Sequence, residues 1–145
     1  MSQVENFLTP AEEQEIVHSI ALAEKNTSGE IRVHIENHTD LKPLERAQEV
    51  FHLLKMDETE LRNGVLFYVG VSDHTFAIIG DKGINEVVEP DFWDCTKDIV
   101  IENFKNKQFK EGLIKGITRA GERLKHYFPF GDDDTNELSN ELSKG

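Results

Sequence analysis

The spacing of hydrophobic residues changes along the chain, and this change constrains the fold more than any other feature. Residues 16–23 place apolar side chains at helical spacing, whereas Ile31, Val33 and Ile35 alternate with polar residues, as in a strand. The run 65–69 is apolar without interruption, which is typical of a strand covered on both faces. Two strands with a helix between them predict a parallel pair joined by a right-handed crossover.

The remaining patterns complete the predicted architecture. Residues 75–79 return as an antiparallel strand after a tight turn at 72–74, and helical patterns follow Pro43, Pro90 and Phe109. The order α-β-α-β-β-α-α-α predicts an α/β fold, a three-layer α/β/α sandwich around a small mixed sheet of three to four strands. Because the strand at 30–36 has one polar face, we expect it near an edge of the sheet.

The chain divides into one folded domain, residues 1–130, and a tail, residues 131–145. A length of 145 residues suits a single core. The tail holds five acidic residues against Lys144 and only two large apolar residues, so the pattern predicts a disordered acidic tail.

Composition excludes several classes of protein. The formal net charge is −12, which disfavours nucleic-acid binding. No apolar run is long enough for a transmembrane helix, and the first residues do not resemble a secretory signal. Cys95 is the only cysteine, so an intramolecular disulfide and a thiolate zinc cluster are excluded. We therefore expect a soluble, cytoplasmic protein.

The predicted topology brings three loops to one end of the sheet. The first two strands begin after Ser28-Gly29-Glu30 and Arg62-Asn63-Gly64, and the third strand ends at Gly80-Asp81-Lys82-Gly83. Asp91 begins a later helix and could reach the same place. Carboxylate, amide and carbonyl oxygens are the ligands of calcium or magnesium, so Glu30, Asn63, Asp81 and Asp91 are the candidate metal ligands. Arg62 and Lys82 could hold a phosphate bridged by the metal.

Simpler interpretations of the same residues stay open. Asp91 follows a proline and could be only a helix cap. Glu30 could form a surface ion pair with Lys82, and the glycine-containing loops could be ordinary turns. His34 and His38 share a strand face, but a solvated face explains them better than a zinc site, because no third ligand is evident.

Short motifs lie in order at 27–31, 62–66, 79–84 and 109–113. This ordered set resembles the TPM domain family, which includes thylakoid-lumen acid phosphatase-like proteins. The resemblance implies a three-layer α/β/α fold and, for some members, divalent-cation binding and acid phosphatase activity. It places the binding turns on Ser28, Gly29 and Glu30, on Arg62, Asn63 and Gly64, and on Gly80 to Gly83. Arg62 stands where the family usually has Asn, and neither a signal peptide nor an anchor is evident, so we expect a stand-alone domain.

Three functions follow as hypotheses. The first is a soluble calcium- or magnesium-binding TPM domain with an accessory or regulatory role. The second is a metal-dependent acid phosphatase acting on a phosphate-containing small molecule, although no nucleophile–base pair is evident. The third is a protein-interaction module that uses the polar strand face of Arg32, His34, Glu36 and His38.

Overall fold

The computed structural model describes residues 7–130 and 140–144. In these ranges the elements are, in chain order, α1 (Pro10–Glu24), β1 (Glu30–Glu36), α2 (Pro43–Leu53), a short 3-10 turn (Met56–Glu58), β2 (Gly64–Gly70), β3 (Thr75–Gly80), α3 (Lys82–Asn85), α4 (Asp94–Lys105), α5 (Phe109–Tyr127) and β4 (Ser143–Lys144). No helix in the described ranges is long and apolar enough to cross a membrane.

Helix α1 begins where the sequence predicts. The side chain of Thr9 accepts a hydrogen bond from the backbone N–H of Glu12 at 3.1 Å, and the Thr9 N–H donates to the Glu12 carboxylate at 3.0 Å. This capping box satisfies backbone groups that a helix start leaves without partners. Pro10, at the first helical position, has no backbone N–H and therefore needs no hydrogen-bond acceptor there.

The four strands form one mixed sheet in the order β3-β2-β1-β4. Strands β1 and β2 are parallel, from Glu30 opposite Gly64 to Glu36 opposite Gly70, and β3 returns antiparallel to β2. The predicted parallel pair and the predicted hairpin are therefore confirmed. The prediction that β1 lies near an edge of the sheet is also confirmed, since its other neighbour is the terminal strand β4, which pairs with it at His34 and Ile35.

Helices cover both faces of the sheet, which confirms the predicted three-layer α/β/α sandwich. On one face, α1, α4 and α5 pack against the odd-numbered residues of β1 and β2; this core includes Ile16, Ile20, Ile31, Val33, Phe67, Val100, Leu113 and Ile117. On the other face, α2 and the 3-10 turn pack against β2 and β3; this core contains Ala47, Val50, Phe51, Met56, Leu66, Tyr68 and Ala77.

Two predicted boundaries differ in the structure. Asp91 does not begin a helix, since α4 starts at Asp94 with Trp93 as its cap residue. The prediction of a disordered tail over 131–145 does not hold for residues 140–144, where β4 joins the sheet and Leu142 packs against the larger core. Residues 131–139 lie outside the described residues.

Candidate functional site

The three loops predicted to converge do meet at one end of the sheet, called here the amino edge because β1 and β2 begin there. The N–H of Glu30 donates to the carbonyl of Asn63 at 3.3 Å. The N–H of Asp81 donates to Gly64 at 2.9 Å, and that of Gly83 donates to Arg62 at 2.8 Å. Parallel pairing of β1 with β2 and the return of β3 are sufficient to bring these loops together.

The carboxylate of Asp81 forms an ion pair with the guanidinium of Arg62 at this edge. The Nε of Arg62 donates to one oxygen of the carboxylate at 2.8 Å, and an Nη donates to the other at 3.1 Å. The Asp81 carboxylate also accepts the N–H of Lys82 at 2.7 Å, which caps α3. The side chain of Asp81 is 6% exposed and that of Arg62 is 43% exposed. Asp81 can therefore bind a metal only if Arg62 releases it.

Of the other predicted site residues, Asn63 contacts a second predicted turn, whereas Lys82 and Asp91 are exposed. Asn63 is buried, and its amide donates to the hydroxyl of Ser28 at 3.3 Å, which joins two of the predicted turns. Lys82 is exposed and faces Glu86 at 3.8 Å. Asp91 is exposed in the turn before α4, and none of its described contacts joins it to the three loops.

Glu24 joins Glu30 at the amino edge and was not predicted. Its Oε2 accepts the N–H of Ile31 at 2.9 Å. Burial raises the pKa of Glu24 to about 7; the charge of Glu30 adds to this rise, whereas hydrogen bonds from Ile31 and Asn140 oppose it. The sequence contains one signal, since Glu24 follows Ile16 and Ile20 at intervals of four residues and so continues the apolar stripe of α1.

The raised pKa predicts how stability depends on pH. Glu24 has a higher pKa in the folded state than its ordinary value of 4.5. Its favourable contribution to folding is therefore present below about pH 4.5 and is lost as pH rises through about 7. We expect Glu24→Gln to be increasingly stabilising, relative to the parent, between these pH values. Urea denaturation at several pH values measures the difference, and Glu102→Gln, at an exposed glutamate of α4, is the control. A difference that does not change with pH would contradict this account.

A second polar cluster lies on the β1 face that was predicted to be solvated. Glu36 accepts hydrogen bonds from Nε of Arg46 at 2.9 Å, from the hydroxyl of Tyr68 at 2.5 Å and from Nε2 of His34 at 3.0 Å. Glu36 and His34 are only 4% and 5% exposed. The prediction that Arg32, His34, Glu36 and His38 form one exposed interaction face is therefore wrong, because two of the four are buried.

The pKa values in this cluster follow from its hydrogen bonds. Burial alone would raise the pKa of Glu36, but hydrogen bonds from Arg46, Tyr68 and His34 outweigh it and lower the pKa to about 2. Burial lowers the pKa of His34, more than the neighbouring carboxylate raises it. Since Glu36 can only accept, Nε2 of His34 carries the proton.

The loops after β1 and β2 meet at the opposite end of the sheet, the carboxyl edge. His38 lies between two carboxylates, with Nδ1 2.6 Å from Asp73 and Nε2 2.8 Å from Asp40. Hydrogen bonds to Asp73 and then Asp40 raise the pKa of His38. Asp73 also accepts the N–H of Thr39 at 3.0 Å, so this aspartate connects the two loops.

The next question is which side chains of the described residues could ligate a metal ion. In the ranges 7–130 and 140–144, no group of three or more His, Cys, Asp or Glu side chains is arranged to hold an ion. The amino edge instead holds two carboxylates at the start of β1, Glu24 and Glu30, and the backbone of Glu30 is bonded to the loop that carries Asn63. Two carboxylates are fewer charged ligands than tight sites for hard cations use.

Comparisons with known proteins agree with this architecture. The family model described as the TPM domain matches residues 1–123. The NMR structure of the BA42 protein from Bizionia argentinensis is similar, with a TM-score of 0.93, 56% sequence identity and complete coverage of both chains. A search of the curated proteins finds no match.

Two more distant structures share the fold. An N-terminal domain from P. gingivalis has a TM-score of 0.68 at 17% identity, covering 84% of this chain and 79% of that one. The N-terminal domain of the cg2496 protein from Corynebacterium glutamicum has a TM-score of 0.66 at 9% identity, covering 92% and 83%. With the family model matching most of its length, the chain belongs to the TPM domain family.

Proposed function

We propose that this chain is a divalent-cation-binding TPM domain with an accessory or regulatory role, and that calcium or magnesium binds at the amino edge. The observation that carries the proposal is the position of Glu24, whose carboxylate accepts the N–H of Ile31 at 2.9 Å and so lies at the start of β1 beside Glu30. A cation between them would relieve their mutual repulsion and the cost of burying the Glu24 charge. A cytoplasmic location and an acid phosphatase activity stay predictions.

The composition of this site favours a regulatory role over a structural one. Two carboxylates with amide and hydroxyl oxygens bind a hard cation less tightly than sites with more anionic ligands. Occupancy of such a site changes with cation concentration. The fold itself does not depend on the ion, since the loops at this edge are already joined by hydrogen bonds between backbone groups.

The proposal predicts a thermal shift that depends on Glu30. A cation that binds only the folded state raises the free energy of unfolding by about 2.7 kcal/mol at a hundredfold excess over Kd. We expect millimolar calcium to raise the Tm of the parent, and to raise it much less in Glu30→Gln. Asp73→Asn, an equally isosteric change at the carboxyl edge, is the matched control and should respond like the parent.

The same experiment can contradict the proposal in two ways. Absence of a shift in the parent with either calcium or magnesium would remove cation binding as the function. If Asp73→Asn abolishes the shift while Glu30→Gln keeps it, the cation binds at the carboxyl edge, between the loops that Asp73 connects. Titration near pH 5.5 and pH 8 adds a further check, since protonation of Glu24 should weaken binding.

Asp81 remains a proposed ligand that depends on Arg62. If the carboxylate leaves Arg62 to bind the cation, then Arg62→Gln should strengthen calcium binding and Asp81→Asn should weaken it. If Asp81 serves only to cap α3 and pair with Arg62, both substitutions should change stability and leave calcium affinity nearly unchanged. Calorimetric titration of the two variants separates these roles.

A further inference from the structure

Among residues 7–130 and 140–144, strand pairing covers only part of the side of β1 that faces away from β2. β1 pairs with β2 along its whole length, from Glu30 to Glu36. On its other side, the described residues pair with it at His34 and Ile35, through β4. Near the start of β1, the N–H of Ile31 donates to the carboxylate of Glu24 and not to a neighbouring strand. A strand edge of this kind can accept an additional extended segment.

Side-chain contacts of residues 142–144 help to hold the segment that now occupies this edge. The hydroxyl of Ser143 lies 2.8 Å from Nδ1 of His34. Because Nε2 of His34 donates to Glu36, a neutral His34 ring presents Nδ1 as an acceptor and selects a hydroxyl donor. Lys144 reaches Glu13 of α1 at 2.6 Å, and Leu142 packs against the larger core.

These contacts define the chemistry of a ligand for the edge. The pattern is an apolar residue, a hydroxyl residue and a basic residue in succession, running parallel to β1. The basic position agrees with the local charge, since Glu13 of α1 pairs with it and the whole chain carries a net charge of −12. Backbone pairing supplies affinity in such complexes, and alternate side chains supply specificity.

We propose that the side of β1 that faces β4 is a strand-addition site for an extended peptide of a partner protein with this apolar, hydroxyl and basic pattern, and that residues 142–144 of this chain occupy it as an internal competitor. The chain's own segment pairs at two positions of β1, so a longer partner strand can form more backbone hydrogen bonds along Arg32–Glu36. Tethering gives the internal segment an effective concentration in the millimolar range, and a partner must exceed this advantage.

The test uses the full chain and a synthetic peptide with the sequence of residues 138–145, Leu-Ser-Asn-Glu-Leu-Ser-Lys-Gly. Leu142→Glu in the full chain removes the apolar contact of the internal segment. We expect the peptide to bind this variant at least about tenfold more tightly than the parent, because the internal competitor is weakened. Backbone amide shifts should be confined to β1 and the residues of α1 that face β4.

Matched peptides test the hydroxyl and the basic contacts. Peptides carrying Ser143→Ala, which removes the hydroxyl with little change in size, or Lys144→Glu, which reverses the charge, should each bind several-fold more weakly. Lys144→Ala in the full chain is a milder way to loosen the internal segment if Leu142→Glu impairs folding. It should also increase peptide affinity.

Three outcomes would overturn the proposal. The first is absence of peptide binding to both loosened variants at about 1 mM, the scale of the effective concentration. The second is binding that shifts amides away from β1 or is insensitive to the peptide substitutions. The third is concentration-dependent dimerisation of the parent through the same β1 amides without displacement by the peptide, which would identify a second copy of the chain as the occupant.

Discussion

Replacement of Arg46 by Met is expected to lower the free energy of unfolding by about 3–5 kcal/mol. Arg46 donates to both oxygens of Glu36, and Glu36 is 4% exposed. Without the guanidinium, the carboxylate stays buried with only Tyr68 and His34 as donors. Removal of one partner of a buried ion pair is costly because the remaining charge has lost its compensation. Chemical denaturation of the two proteins measures the difference.

Two further variants identify the source of this loss. Arg46 also pairs with Glu49 at 3.0 Å, but Glu49 is half exposed, so Glu49→Gln should change stability by less than about 1 kcal/mol. Glu36→Gln in the Arg46→Met background removes the uncompensated charge and should restore part of the lost stability. If the double variant is no more stable than Arg46→Met, then Arg46 acts mainly through packing of its aliphatic stem.

Gly83→Ala is expected to destabilise the protein by about 3 kcal/mol or more, at the upper end of the cost of overpacking. A Cβ at this position would meet the carbonyl oxygen of Leu61 and lie 2.6 Å from that of Arg62. Backbone carbonyls cannot change rotamer as a side chain can, so the turn after β3 and the loop before β2 would have to separate. The Tm and the hydrogen-exchange rate of the Gly83 amide, which donates to Arg62, report the separation.

Gly80 provides the matched control for this substitution. The three heavy atoms nearest to a Cβ there belong to the side chain of Ile84, the closest at 3.3 Å. Those atoms can move by a few tenths of an ångström, so Gly80→Ala should cost much less than Gly83→Ala. Equal losses in the two variants would show that the close approach of Gly83 to Leu61 and Arg62 does not hold the amino edge together.

The convergence at the amino edge could be predicted from sequence because it follows from strand direction alone. Once β1 and β2 are parallel and β3 returns beside β2, the loops carrying Glu30, Asn63 and Asp81 must meet. The partners within that edge could not be predicted in the same way. The pairing of Asp81 with Arg62 depends on side-chain distances, which neither periodicity nor charge specifies.

The polar face of β1 shows why other features were missed. Alternation of apolar and polar residues predicts a solvated face, but it cannot distinguish water from other polar groups as hydrogen-bond partners. His34 and Glu36 are buried because Arg46, Tyr68 and Ser143 satisfy them. Strand β4 has two residues, too few to show any periodicity, and its partner strand lies more than a hundred residues earlier.

The contacts of β1 with the distant end of the chain have a consequence for folding kinetics. Thr27 and Ser28, just before β1, bind the carbonyl of Phe128, and His34 binds Ser143 across 109 residues of sequence. Closing loops of this length is entropically unfavourable until many other contacts exist, so these contacts should form late. On the ribosome, β1 is complete long before residues 128 and 143 are made, and its uncovered edge is then exposed to pairing with other chains. Aggregation of nascent or refolding chains should therefore involve β1 before any other strand.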